Sequence, residues 1–262
     1  MEIEKLLLSW DEFKNTEFST PYTFNIQKGT QELEYFGSGH LYDPANPGLE
    51  AIEERWSNFL ARHSPDEIIV VIERHFKKIR ETKEDNIRIA GESGLISFLA
   101  AARTIPTICF EPSREKVLNE LHRRGRSKEI LFYHEMAEMA LQWHQMTEKP
   151  SFEEYMHVYF DRFKDNFDWP GFDFSLEHAR TIHSELFNAD LDENDKRFFY
   201  DIIDPAQTTC IINEISREVD TFRDSAVVKG IVEEWHKGKS IFVVYGSGHA
   251  VIQERALKEL LK

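Results

Sequence analysis

The segment IFVVYGSGHA, residues 241–250, decides the fold. A largely apolar run passes without interruption into Gly246-Ser247-Gly248-His249, and EYFGSGHLYD, residues 34–43, makes the same exit through Gly37-Ser38-Gly39-His40. Continuous apolar runs belong to strands covered on both faces, as in a parallel sheet. A repeated tetrapeptide carries little information alone, so its surroundings must give it meaning.

Working outward, YTFNIQKGTQELEYF (22–36) alternates around a Lys-Gly turn and predicts a β-hairpin feeding the first GSGH. A proline-rich loop, LYDPANPG, leads into NPGLEAIEERWSNFLARH, whose apolar spacing is helical. DEIIVVIER is a second buried strand, ending in Glu73, and PTICFEP a short third one, stopped by Glu111 and Pro112. Between them EDNIRIAGESGLISFLAAARTI is helical with a glycine-rich interruption, and SREKVLNELHRRG starts a helix capped by Ser113. An amphipathic first helix is expected at the N-terminus, a long helix over 210–238, and a closing one over AVIQERALKELLK. Strands alternating with helices argue for an α/β fold with a mainly parallel or mixed central sheet flanked by helices. The stretch from about 127 to 205 carries helical patterns only, rich in Met, His and aromatics, and reads as an all-helical insertion forming a lid within a single α/β domain spanning 1–262. Aromatic stripes at helical spacing are most simply the core of such an insert.

The 262 residues carry a formal net charge of -15, which argues against nucleic acid or an anionic membrane as partner. HRRGRSK (122–128) is the one dense basic run and reads as a solvated helix end. No apolar segment is long enough to span a bilayer, and MEIEKLLLSWDEF lacks the features of a signal peptide. Two cysteines, Cys109 and Cys210, suggest no disulfide framework, so the expected setting is the cytoplasm.

Four strand exits end in polar groups: His40, Glu73, Glu111 and His249. In an open α/β sheet, ligands bind beyond the carboxyl ends of the strands, so these residues are candidates for one shared site. Two imidazoles and a carboxylate, His40, His249 and Glu73, can hold a divalent metal such as Mn²⁺, Co²⁺ or Zn²⁺. Without metal, an imidazole beside a carboxylate is a general base toward water. Either arrangement serves hydrolysis. Glu92, Glu111 and Arg223 are further catalytic candidates, Arg223 for a substrate carboxylate or an oxyanion, with Ser38, Ser247 and Asp224 as candidates for substrate contact.

Competing motifs are incomplete. His134-Glu135-Met136-Ala137-Glu138 has a glutamate where a zinc-protease helix needs its second histidine. Gly91-Glu92-Ser93-Gly94 has Leu95 where a nucleophile elbow needs glycine. Gly246-Ser247-Gly248 lacks the third glycine of a dinucleotide loop, Val251 standing in its place.

At Gly37–His40, Gly246–His249 and Glu73 the sequence resembles the superfamily that joins TraB/GumN-like proteins, TIKI proteases, erythromycin-esterase-like enzymes and ChaN haem-binding proteins, in which paired G-x-x-H motifs flank a strand ending in glutamate. Arg223-Asp224 is similar to an arginine-aspartate step of the TraB/TIKI branch. The resemblance implies an α/β core and a hydrolase of an ester or amide bond, peptide or lactone-like, acting on a small molecule or peptide. The alternative is a non-catalytic binder of haem or a peptide under the helical insert, motivated by the insert's Met, His and aromatic content, with His134, His144 and His157 as the conceivable axial ligands. With no signal-like or bilayer-length apolar segment in these 262 residues, the chain is expected to depart from TIKI in its secretion signal and from some TraB relatives in their C-terminal membrane helices.

Overall fold

The computed structural model describes residues 2–74 and 78–262. The chain divides into two compact units, Met1–Pro112 with Thr221–Lys262, and Ser113–Asp220. The expected helical insertion at 127–205 lies inside the second unit, which extends beyond it at both ends.

The first unit opens with a 3-10 turn at Ile3–Lys5 and the short helix α1 (Trp10–Phe13), not the continuous amphipathic helix expected there. The break is local chemistry: Ser9 accepts from the Glu12 N–H while Glu12 reaches back to Ser9, a capping box that restarts the helix at Trp10. Then come β1 (Tyr22–Lys28), β2 (Gln31–Ser38), α2 (Gly48–Leu60), β3 (Ile68–Ile72), α3 (Lys83–Ala101) and β4 (Thr107–Ile108). The second unit holds α4 (Arg114–Arg123), α5 (Lys128–Gln145), α6 (Phe152–Asn166), α7 (Leu176–Phe187) and α8 (Lys196–Ile203). Helix α9 (Ile211–His236) begins in the second unit and ends in the first, and β5 (Ser240–Gly246) and α10 (Ser247–Leu260) complete the chain.

The sheet order is β1-β2-β5-β3-β4, with β1 and β2 antiparallel and every other neighbouring pair parallel. The last strand therefore stands between β2 and β3, and the carboxyl ends of four strands share one edge. The three inner strands, β2, β5 and β3, alternate between two cores. Leu33, Tyr35, Ile241, Val243 and Tyr245 pack with Val227, Val228 and Ile231 of α9 and with Ala250, Ile252 and Ala256 of α10. Phe36, Val70, Phe242 and Val244 pack on the other face with Ile52, Trp56 and Phe59 of α2 and Leu95 and Ile96 of α3. These continuous apolar runs are covered from both sides, as their composition requires.

One expectation about an element end is corrected, and the expected interruption of α3 is found. Helix α10 starts at Ser247, directly at the end of β5, so His249 stands in its first turn and not in a loop before Ala250. The glycine-rich interruption of α3 is a kink: Gly91 has φ 58 and ψ -139 within an otherwise helical run. A helix of L-residues cannot absorb that conformation cheaply, and glycine can.

In the second unit the aromatics serve as core. Phe132 packs on Phe160, Phe172 and Phe174, and Phe163 stacks on Phe167 at 4.6 Å between centroids. The basic run is neutralised in place: Arg124 pairs with Glu120 at 2.8 Å, Arg123 with the same carboxylate, and Arg126 with Glu218 and Glu214. No helix among the described residues is long and apolar enough to cross a membrane.

The approach of α10 to β2 generates a stability prediction. A Cβ on Gly37 would stand 2.7 Å from the Tyr22 carbonyl oxygen and 2.9 Å from both the Ala250 Cβ and the Ser247 Cα. Gly37→Ala is expected to cost about 1–3 kcal/mol of unfolding free energy, the range for overpacking a tight contact, read by chemical denaturation. An unaltered midpoint would contradict this packing.

Candidate functional site

The edge where β2, β5 and β3 end collects three side chains around one missing atom. A Cβ on Gly246 would lie 3.3 Å from Glu73 Oε2, 3.4 Å from His40 Cε1 and 3.5 Å from His249 Cδ2. The space a side chain would fill is the place where the three groups meet. Register explains the meeting. Ser38 pairs with Gly246 across the parallel β2–β5 ladder and Gly37 with Tyr245, so the two tetrapeptides lie side by side, one residue out of step. Their first glycines consequently do different work: Gly37 admits α10 against the sheet, and Gly246 leaves room for the candidate site. The second pair faces the N-terminal segment, Gly39 against Thr20 and Gly248 against Phe13.

Glu73, one residue past β3, is buried and accepts the Gly246 N–H at 2.9 Å. The carboxylate thus sits at the positive end of α10, where a helix favours an anion. His40 follows β2 in a left-handed conformation, φ 60, a strained state for a residue with a side chain. What over-determines it is Glu92, delivered by the α3 kink: one carboxylate oxygen stands 3.3 Å from His40 Nδ1 and the other accepts the Leu41 N–H at 2.8 Å. The hydrogen bond to Glu92 raises the His40 pKa, burial opposing it, with the Glu73 charge adding to the rise and Arg74 working against it. Burial pushes the Glu92 carboxyl up, but the imidazole and two backbone N–H groups outweigh it and leave it below its ordinary value.

His249 comes from the opposite face of the sheet. Its Nδ1 lies 2.9 Å from Asp224 Oδ1 on α9, and its side chain is 18% exposed against 49% for His40. Burial favours the neutral ring, yet the charge and hydrogen bond of Asp224, with Glu73 behind them, prevail over this and over the Arg223 cation, and the pKa rises to about 10. Asp224 is 1% exposed and takes a second donor, Gln253 Nε2, at 2.6 Å on the same oxygen. Glu111 is farther along the edge. It accepts from Arg223 at 2.6 Å and from the Tyr245 hydroxyl at 2.8 Å, and the Tyr245 ring stands edge-on to His249 at 5.6 Å. Arg74 lies 5.8 Å from the Tyr42 ring centroid, on the His40 side.

His40, Glu73, His249 and Glu92 are therefore brought together. Arg223 and Glu111 form an ion pair beside them. Asp224, a candidate for substrate contact, faces His249 from the interior. Ser38 and Ser247 are buried, and Ser247 donates to the Ser38 carbonyl at 3.1 Å, tying the two strand exits together. The Gly91–Gly94 segment is no nucleophile elbow: Ser93 is buried in helix, and a Cβ on Gly94 would fall 2.0 Å from the Asn86 carbonyl oxygen. His134 spends one nitrogen on Glu135 at 3.3 Å and the other on Ser216 at 3.1 Å, His144 Nε2 meets the Glu193 carbonyl at 3.0 Å, and His157 pairs with Asp161 on the surface. Sequence reasoning missed Gln253, Tyr245 and Tyr35. Gln253 had a signal, since it follows His249 by four residues on one helix.

Each imidazole turns Nδ1 to a carboxylate, the arrangement that frees Nε2 and raises its basicity as a ligand, so His40, His249 and Glu73 fit a divalent ion in donor type. As placed, no three His, Cys, Asp or Glu side chains among the described residues are grouped to hold one. Comparison with models of known protein families, with curated proteins and with solved structures finds no significant match for the chain.

The folded His249 pKa lies above the ordinary 6.5, so its charged pair stabilises the fold in full below about pH 6.5, and that contribution disappears as pH rises through about 10. The ring is expected to titrate near pH 10 by NMR, and Asp224→Asn to bring it back toward its ordinary range. The stability gap between the two proteins should narrow across that interval. A gap independent of pH would contradict the charged state of His249.

Proposed function

We propose that the chain is a hydrolase of an ester or amide bond, in a small molecule or peptide, with its active centre where β2, β5 and β3 end. The observation that carries the reading is the meeting of two carboxylate-backed imidazoles and Glu73 around the missing Cβ of Gly246. Hydrolysis needs one group to take a proton and one to give one, and environments that push two titratable groups apart assign those roles. His40, half exposed and supported at Nδ1 by Glu92, takes a proton from water at Nε2. His249, charged through the neutral range by Asp224, gives its Nε2 proton to the departing oxygen or nitrogen. The hydroxyl from water joins the acyl carbon as the bond to the leaving group breaks, and the products are an acid with an alcohol or amine. The proton gained by His40 returns through solvent to His249. Glu73, anchored by one oxygen on the Gly246 N–H, orients the attacking water with the other.

The proposal has a second form, in which His249 would give up its Nε2 proton to solvent and His40, His249 and the Glu73 carboxylate would hold Mn²⁺, Co²⁺ or Zn²⁺. The chemistry supplied there would be the acidification of a water for attack at neutral pH. The reading agrees with what the resemblance to TraB/GumN-like and TIKI-like proteins implies. A cytoplasmic setting is part of the proposal, supported by Cys109 and Cys210 both being free thiols.

Against a panel of aryl esters, lactones and peptide amides, the unaltered protein is expected to turn over at least one class. His40→Ala, Glu73→Ala and His249→Ala should each lower kcat/KM by ~10²–10⁴ while circular dichroism stays unchanged. Unchanged turnover in His40→Ala and His249→Ala rules the proposal out. Chelation followed by return of the ion separates the two forms, because full activity after exhaustive chelation leaves only the metal-free one.

A further inference from the structure

His249 is oriented by Asp224, and Asp224 is itself oriented from deeper in the first unit. Gln253 follows His249 by one helical turn on α10, so both side chains project from one face. Its Nε2 donates to Asp224 Oδ1 at 2.6 Å, the oxygen that His249 Nδ1 meets at 2.9 Å. Its Oε1 accepts the Tyr35 hydroxyl at 2.8 Å. Gln253 and Tyr35 are 0% exposed, so no bulk water competes for these groups.

The polarity of this chain has one consistent solution. An amide oxygen turned toward the Asp224 carboxylate would set two acceptors against each other, so the amide must offer its N–H there. The Tyr35 hydroxyl, as donor, holds the amide oxygen on the far side. Two donors then converge on Asp224 Oδ1, while Oδ2 is buried with no hydrogen-bond partner among the described residues. The carboxylate's rotation is thus set from one oxygen alone, and losing either donor releases it. Buried acceptors are normally satisfied, and the asymmetry loads the whole orientation onto Gln253 and His249.

We infer that Gln253, held by Tyr35, is a positioning residue for His249: it fixes the rotation of the Asp224 carboxylate and, through it, the direction in which the imidazole presents Nε2. Its catalytic consequence rests on the hydrolase reading; its structural consequence does not. Tyr35 lies on β2 and Gln253 on α10, so the strand that leads to His40 also sets the aim of His249.

The test is the His249 ring in the ¹⁵N-labelled full chain. The unaltered protein is expected to give a downfield, slowly exchanging Nδ1 proton. Gln253→Leu, which keeps volume and removes both hydrogen bonds, should abolish slow exchange and move the ring nitrogens. Tyr35→Phe removes a single oxygen and should shift the same signals by less, and it carries the test should the leucine variant not fold. Ring signals in both variants identical to those of the unaltered protein would overturn the inference. On a substrate found in the panel above, Gln253→Leu should lower kcat by about 10–100-fold with KM little changed. The ring spectrum needs no substrate, so an unaltered protein without turnover would overturn the hydrolase reading and not this one.

Discussion

At Gly246 the central strand must pass straight into a helix with nothing projecting from the junction, and the arrangement at the rim depends on that constraint. β5 is hydrogen-bonded on both sides, so it cannot swerve, and α10 begins at the next residue. The N–H at the junction is offered to Glu73 in place of a loop partner. A methyl group here would press on Glu73 and His40 together, at 3.3 and 3.4 Å. The absence of one side chain thus lets three others share a place and lets a helix terminus hold the carboxylate between them.

The two imidazoles reach that place from opposite faces of the sheet, and each brings its own acid. Glu92 comes with α3 and Asp224 with α9. Buried charges persist in proteins only when paired, and here each pairing also fixes a ring. Exposure separates the two. His40 is open to solvent and held in an uncommon backbone conformation, while His249 is enclosed, charged and braced through Gln253 and Tyr35.

Much of this was legible in the sequence because apolar runs and strand exits are local signals. The runs at 68–72 and 241–245 become inner strands, and the polar residues after them reach one edge because parallel strands share it. The direction from which each partner arrives was not legible. Glu92 depends on a left-handed glycine inside a helix, which no periodicity announces, and a serine between glycines invited comparison with a different chemistry. Asp224 stands 25 residues from His249 in sequence, and only the packing of α9 beside α10 makes them neighbours. The N-terminal helix failed for a converse reason: a four-residue capping box outweighed an apolar pattern too short to hold a helix across it.

The position of β5 also orders events in time. It enters the sheet between β2 and β3, which come from the first third of the chain, and neither ladder it forms can exist before it is made. In chain order those two strands precede β5 by the whole helical unit and by α9. Contacts of such sequence separation form slowly. Until β5 closes the gap there is no Gly246 junction, no α10 terminus and no partner for Asp224, so His40, Glu73 and His249 come together only when the fold is finished.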